Sequence, residues 1–470
     1  MAIGIILLCG VLPLSSAFST PVIGWTKTYS STESNGSNLA YANAESIVQA
    51  DDSGYLLAGS IYIEKDSGNS TYAWLIKTDA TGNLQWDKTF DGASDASIYA
   101  AVKTSDGGYA LAGYKTNPIS GNSDFWLIKT DTTGDLLWNK TYGESNSEKA
   151  YSLVQTSDGG YILGGSSTNS ASGTFWLVKV DSLGNIQWNT TFGTAGSFSN
   201  IDSIIQTING GYMLLANSGE FNSLGFNCNM SFINVSSSGT VQGTKTYYGS
   251  QGTSMIQTAD GCFVLGSTPN LIFMGPTVSC IIKINSSGDL LWNTTFTRFS
   301  FVSIASVIKS EDGGYTELGE SIIPQYNIWL QHDDSTGTAQ WNTSYSGPRF
   351  DARGLLQASD GGYLIFGSYG SQYYLVKAVT STSAVTPQPT SSGNASGKIL
   401  PNTSDIPIPV TIQPENSLNP TMIPIHIGTP TPEVFETAAP IIILVIAALE
   451  AVAIVCLTLL LFLNRTKKVS

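Results

Sequence analysis

Histidine, cysteine and charge are all scarce in this 470-residue chain, and each scarcity removes a class of function. There are two histidines, His332 and His426, and no Cys-x-x-Cys pair. A multi-histidine metal site is therefore unavailable, and a Ser-His-Asp triad would have to rest on His332. Gly-x-Ser-x-Gly is also missing, and with it the nucleophile elbow of one large hydrolase group. Of the five cysteines, Cys9 and Cys456 lie in hydrophobic ends. That leaves Cys228, Cys262 and Cys280, an odd set that allows at most one internal bridge, so the scaffold does not depend on disulfides. Charged residues make up 12% of the chain, with 21 Lys and Arg against 35 Asp and Glu for a net charge of -14. An acidic surface of this kind repels nucleic acid and anionic lipid.

What the chain has instead is repetition. Asp-Gly-Gly-Tyr and its variants end at Tyr55, Tyr109, Tyr161, Tyr212, Phe263, Tyr315 and Tyr363, at intervals of 54, 52, 51, 51, 52 and 48 residues. A period near fifty marks an array in which each unit buries its apolar face against its neighbours. In the second unit, four β-rich runs are separated by hairpin signals: Tyr99 to Thr104, Tyr109 to Gly113, Phe125 to Thr130 and Leu136 to Tyr142. Asp-Gly accepts the positive φ of a tight turn, and in Asp131-Thr132-Thr133-Gly134 the aspartate caps a turn closed by glycine.

Seven sets of the first three strands are present, with seven fourth strands beginning at Trp25, Trp86, Trp138, Trp188, Gly243, Trp292 and Trp341. The first of these precedes any complete repeat, and the last repeat stops without its own fourth strand. The pattern predicts an all-β fold, a seven-bladed β-propeller of four-stranded antiparallel blades closed by the N-terminal strand Trp25 to Tyr29, over residues 18–379. The ten tryptophans fall in two repeat positions, which reads as packing between blades. The fourth blade, with Gly243 and Ser231 in those positions, reads as the weak one.

The segment Asp79-Ala80-Thr81-Gly82-Asn83-Leu84-Gln85-Trp86 is similar to the tryptophan-docking motif of quinoprotein-dehydrogenase-like propellers. The pattern over residues 25–377 resembles the DGGY-repeat surface propellers of methanogenic archaea and some bacteria. That resemblance implies an envelope location and no particular activity. No residue maps onto a quinone or calcium site, so no cofactor is expected.

The ends suit an exterior protein. Residues 1–17 form an apolar run ending Leu14-Ser15-Ser16-Ala17, a secretory signal peptide or an N-terminal anchor. Residues 380–437 hold ten of the eighteen prolines among many Ser and Thr, the composition of an extended, disordered stalk. Residues 438–463 are long and apolar enough for a transmembrane helix, and the basic tail 464–470 assigns its end to the cytoplasm. The expected protein is thus single-pass, anchored in the cell membrane through 438–463 with its propeller outside. Acceptor sequences for N-glycosylation occur at Asn35, Asn69, Asn139, Asn189, Asn229, Asn234, Asn285, Asn293, Asn342, Asn394 and Asn402.

Candidate sites are few. A Gln or Lys recurs before each Asp-Gly turn, at Gln49, Lys103, Gln155, Gln206, Gln257, Lys309 and Gln357, at the end of the strand expected to line the central channel. These seven form either a shallow anion or sugar site or a set of side chains satisfying the backbone of adjacent blades. The turn aspartates Asp79, Asp131, Asp181 and Asp289 read as caps, because calcium requires six to eight converging oxygens and no metal set is visible. Acids that break the repeat, Glu45, Glu144, Glu148, Asp202, Glu317 and Glu320, are what a glycosidase-like carboxylate pair would draw on. The expected function is non-enzymatic: a surface propeller that binds envelope polysaccharide or a surface protein, with no catalytic residues and no nucleic acid partner. An extracellular carbohydrate-active enzyme or a purely structural envelope component are the alternatives.

Overall fold

A computed structural model describes residues 20–379, apart from 31–39, 65–68, 91–94, 170–171, 197, 223–224, 270–278, 297–299, 324–325 and 347–349, together with residues 411–413. The expected leader, transmembrane helix and tail, and all of the stalk except 411–413, lie outside the described residues.

Seven antiparallel sheets follow one another, each built from four consecutive strands except the last. In the second blade the strands are Ala96–Lys103, Tyr109–Thr116, Ser123–Thr130 and Leu136–Tyr142. The last sheet takes three strands from Asp351 to Val379 and its fourth from the N-terminus, where Val22–Tyr29 pairs antiparallel with Gln372–Val379. The ring therefore closes through its first strand. The fourth strands start two residues ahead of their tryptophan, at Leu84, Leu136, Ile186, Leu290 and Ala339, because the ladder continues into the Asp-x-x-Gly turn. A short strand, Thr411–Gln413, adds to the outer edge of the sixth blade.

Alternating side chains of each blade interleave with those of the next. One core cluster joins Leu56, Leu75 and Ala58 of the first blade to Ile98, Leu111, Trp126 and Ile128 of the second, and the same arrangement recurs around the ring. Outer-strand tryptophans dock on the closing glycine of the following blade's turn between its third and fourth strands, an Asp-x-x-Gly turn except where Ser236 leads it in the fourth blade. A Cβ on Gly134 would meet the Trp86 ring at 2.3 Å, and Gly82, Gly184, Gly239 and Gly337 stand in the same relation to Trp25, Trp138, Trp188 and Trp292. These glycines also adopt positive φ, such as 77° at Gly134, so no larger residue fits. In the fourth blade, where Gly243 occupies the tryptophan position, Phe232 reaches the Gly288 turn and packs edge-on against Phe263 at 5.1 Å. The weak blade is repaired from the neighbouring strand.

A second repeated contact joins the Asp-Gly turn to the third strand of its own blade. Buried lysines pair with the turn carboxylates: Lys77 with Asp52 at 2.7 Å, Lys129 with Asp106 at 2.9 Å, Lys179 with Asp158 at 2.8 Å, Lys283 with Asp260 at 2.8 Å and Lys377 with Asp360 at 2.6 Å. Each lysine sheds its hydration against a carboxylate that stays half in water, and in the first three blades it also donates to a backbone carbonyl, as Lys129 does to Thr130 at 2.8 Å. The fourth blade carries Asn209 and Asn234 at these two positions, losing both charges together. In the sixth, His332 Nε2 faces Asp312 at 2.8 Å.

Candidate functional site

The seven predicted Gln and Lys residues are each the last residue of an innermost strand, from Gln49 through Lys103 and Gln155 to Gln357. They share one mouth of the channel. There they lean sideways: each described contact runs to the residue two past the equivalent position of the preceding blade. Gln49 donates to Ser359 Oγ at 3.0 Å, and Lys103 pairs with Asp51. Gln155 accepts from the Ser105 amide at 2.8 Å, and Gln206 accepts from the Ser157 amide at 2.8 Å. These contacts tie neighbouring blades at the turn level. Lys103 and Gln155, with Asp51, Ser105 and Asp106, also line an open depression of about 610 Å³.

A second level lies four residues deeper. Every innermost strand slips its register by one residue at the same place, and the bulged residues are Glu45, Tyr99, Tyr151, Asp202, Thr253, Ala305 and Arg353. A bulge re-aims its side chain out of the ladder, which here means away from the blade cores and toward the axis. None of the seven is fully buried, although their strand neighbours Ala44, Ile98, Ala150, Ile201 and Ile304 are. Contacts confirm the convergence. Arg353 of the seventh blade reaches Glu45 of the first at 3.6 Å, and Tyr99 of the second meets Tyr151 of the third with ring centroids 5.0 Å apart. Tyr99 senses the charges of both Glu45 and Arg353, and Tyr151 senses that of Asp202 in the fourth blade. Only side chains gathered at the axis can be neighbours across five blades.

The electrostatics of this level differ from those of the turns. Burial pushes the Glu45 carboxyl above its usual range, opposed by Arg353 and reinforced by Asp351. Burial raises Asp202 to about 7 against the hydrogen bonds it accepts from Asn217 and Asn200. At the turn level, burial raises Asp106 and Asp158 too, but there the donated hydrogen bonds of Thr104, Thr156 and the paired lysines outweigh it and hold both carboxyls at about 2.

The irregular acids thus part company. Glu45 and Asp202 enter the channel. Glu148 is buried and accepts from Ser167 Oγ at 2.9 Å, with Glu144 beside it, and Glu317 and Glu320 belong to the second strand of the sixth blade. The turn aspartates Asp79, Asp131 and Asp181 cap their turns, Asp131 accepting from the amides of Thr133 at 2.9 Å and Asp135 at 2.8 Å. Asp289 does not: Asn285 holds the capping position, and Asp289, four residues later, pairs with Lys245 at 3.2 Å. No group of three or more metal-ligating side chains occurs among the described residues. Of the glycosylation candidates, Asn69, Asn139 and Asn189 are exposed, Asn229, Asn234, Asn285 and Asn342 are half-buried, and Asn293 is buried. Asn35, Asn394 and Asn402 lie outside the described residues.

Sequence reasoning passed over the bulge level as a set. Aligning the repeats on the Gln/Lys position reveals it, because the column four residues earlier reads Glu, Tyr, Tyr, Asp, Thr, Ala, Arg, while the columns flanking it stay small or apolar.

No family model matches the chain, and no curated protein does. Among solved structures it is similar to the β-propeller domain of the Trilobed protease from Pyrococcus furiosus, at 10% identity over 73% of this chain and 95% of that one, with a TM-score of 0.42. It is also similar to a protein of unknown function from Dyadobacter fermentans, at 11% identity over 76% and 98%, with a TM-score of 0.42. Sqt1 from Chaetomium thermophilum matches at 12% identity over 72% and 97%, also with a TM-score of 0.42. Identities and scores this low carry no functional argument, and the propeller assignment stands on strand pairing.

Proposed function

We propose that this chain is a membrane-anchored, cell-surface β-propeller that binds an envelope component, polysaccharide or protein, in its central channel. The observation that carries the reading is the bulge level: a scaffold that repeats its turns, lysines and tryptophans blade after blade abandons repetition at the one position aimed at the axis. A purely structural ring would have no use for six kinds of side chain at seven equivalent positions. The anchoring half of the proposal draws on the apolar span 438–463 and the basic residues after it.

The deciding measurement incubates the full-length protein with a panel of envelope and extracellular polysaccharides and scores retention and cleavage together. Retention without cleavage is expected. Cleavage would favour a hydrolase instead, with Glu45 and Asp202, both pushed up by burial, as the carboxyl pair to mutate first. An absence of both would remove polysaccharide as the partner.

A further inference from the structure

Resting on that reading of the channel, we infer that the ligand is a neutral saccharide stacked on the tyrosine wall of the bulge level rather than held at the turn-level mouth. Tyr99, Tyr114 and Tyr151 form a contiguous aromatic cluster on the second and third blades. Tyr99 and Tyr114 have centroids 5.8 Å apart at 30°, and Tyr99 and Tyr151 are 5.0 Å apart at 34°. All three residues are partly exposed. The apolar C–H face of a pyranose packs on such rings, while its hydroxyls need donors and acceptors around the rim. Glu45, Arg353 and Asp202 supply them on either side. The fifth and sixth blades contribute Thr253 and Ala305, the two smallest side chains of the level.

Charge decides the class. Arg353 is already bound to Glu45 at 3.6 Å and Asp351 at 2.8 Å, and Lys149 lies over the Tyr114 ring at 4.3 Å. Arg353 and Lys149 are thus matched by a carboxylate or a ring, so an acidic sugar would have to displace one of those partners to find a counterion. A neutral pyranose meets no such cost.

The test measures affinity of the full-length protein for cello- and malto-oligosaccharides, with uronic-acid and amino-sugar oligosaccharides alongside. Tyr99→Ala and Tyr151→Ala are each expected to weaken the neutral ligand about tenfold or more, and Tyr99→Phe to stay within about threefold, since stacking survives loss of the hydroxyl. Thr253→Trp adds bulk from the fifth blade and leaves every tyrosine in place; it is expected to abolish binding while keeping the parent's melting midpoint, which separates a blocked site from a variant that merely unfolds. Lys103→Ala and Gln155→Ala, at the other level, are expected to bind as the parent does. If those two lose binding while Tyr99→Ala keeps it, the tyrosine site is wrong and the channel reading stands. Preference for uronic acids overturns the neutral class alone. Failure of every saccharide, with a protein partner captured through the channel, overturns this inference and leaves the binding module intact.

Discussion

Glu317 has both carboxyl oxygens buried without a hydrogen-bond partner, and Asp333, on the neighbouring strand, has one, Oδ2, in the same state. The two occupy one face of the sixth blade, where Gln331 stands opposite Glu317 and donates to Asp333 Oδ1 at 2.8 Å. Burial, reinforced by the charge of Asp333, pushes Glu317 well above the usual carboxylate range, and burial with the charge of Asp334 raises Asp333 to about 7. A folded-state pKa raised above the unfolded value means that the native state favours the proton. The stability this confers is fully present below about pH 4 and is lost as pH rises through neutrality. The melting midpoint is accordingly expected to fall between pH 5 and pH 8, and Glu317→Gln to flatten that fall. Parallel pH curves for parent and variant would show that Glu317 is neutralised some other way. The acid side has the opposite sign: Asp106 and Asp158, held at about 2, give up their contribution as pH drops from about 4 toward that value.

Among the elements, the fourth blade is the instructive one, because two losses in it have been met in different ways. The Asn209 and Asn234 pair replaces an ion pair by removing both ends, so neither charge is stranded. The missing tryptophan is replaced by moving bulk across strands: Phe232 takes a place where the second and third blades carry Leu127 and Leu177, and its ring covers the Gly288 turn. Phe232→Leu is therefore expected to cost about 1–2 kcal/mol, and adding Gly243→Trp to recover about 1 kcal/mol of it, in a double-mutant cycle followed by denaturant unfolding. Additive effects would mean that the two side chains fill separate spaces. Repetition made the blades legible from sequence, since Asp-Gly turns and tryptophans return at fixed intervals and the unpaired first strand matches the incomplete last repeat. Substitutions that work across strands were not legible, because Phe232 and Gly243 are eleven residues apart in a pattern that fixes only one of them. The channel site was half legible: the Gln/Lys column stood out by recurring, whereas Tyr99, Asp202 and Arg353 drew no common attention, being alike only in backbone geometry.

At the scale of the molecule, everything depends on the junction between the seventh and first blades, the single place where the ring is closed by pairing rather than by chain connection. Val22–Tyr29 supplies three things there. It covers the outer edge of the seventh sheet, it docks Trp25 on the Gly82 turn, and its Tyr29 hydroxyl donates to the Gly82 carbonyl at 2.7 Å. A closed ring gives every blade two neighbours, so no blade can unfold without costing two interfaces. An open array frays from its ends, as stacked repeats do. Removing residues 20–30 is expected to lower the denaturant midpoint and to broaden the transition as the terminal blades detach first. The same cut reaches the channel, because Glu45 and Arg353 face each other across this junction and lose their mutual alignment when it parts. Saccharide retention is therefore expected to weaken together with stability, even at denaturant concentrations where the central blades stay folded. Retention that persists at full strength in the truncated protein would mean that the tyrosine wall of the second and third blades binds without help from the seam, and a sharp transition at the parent midpoint would mean that the closing strand is dispensable to the ring.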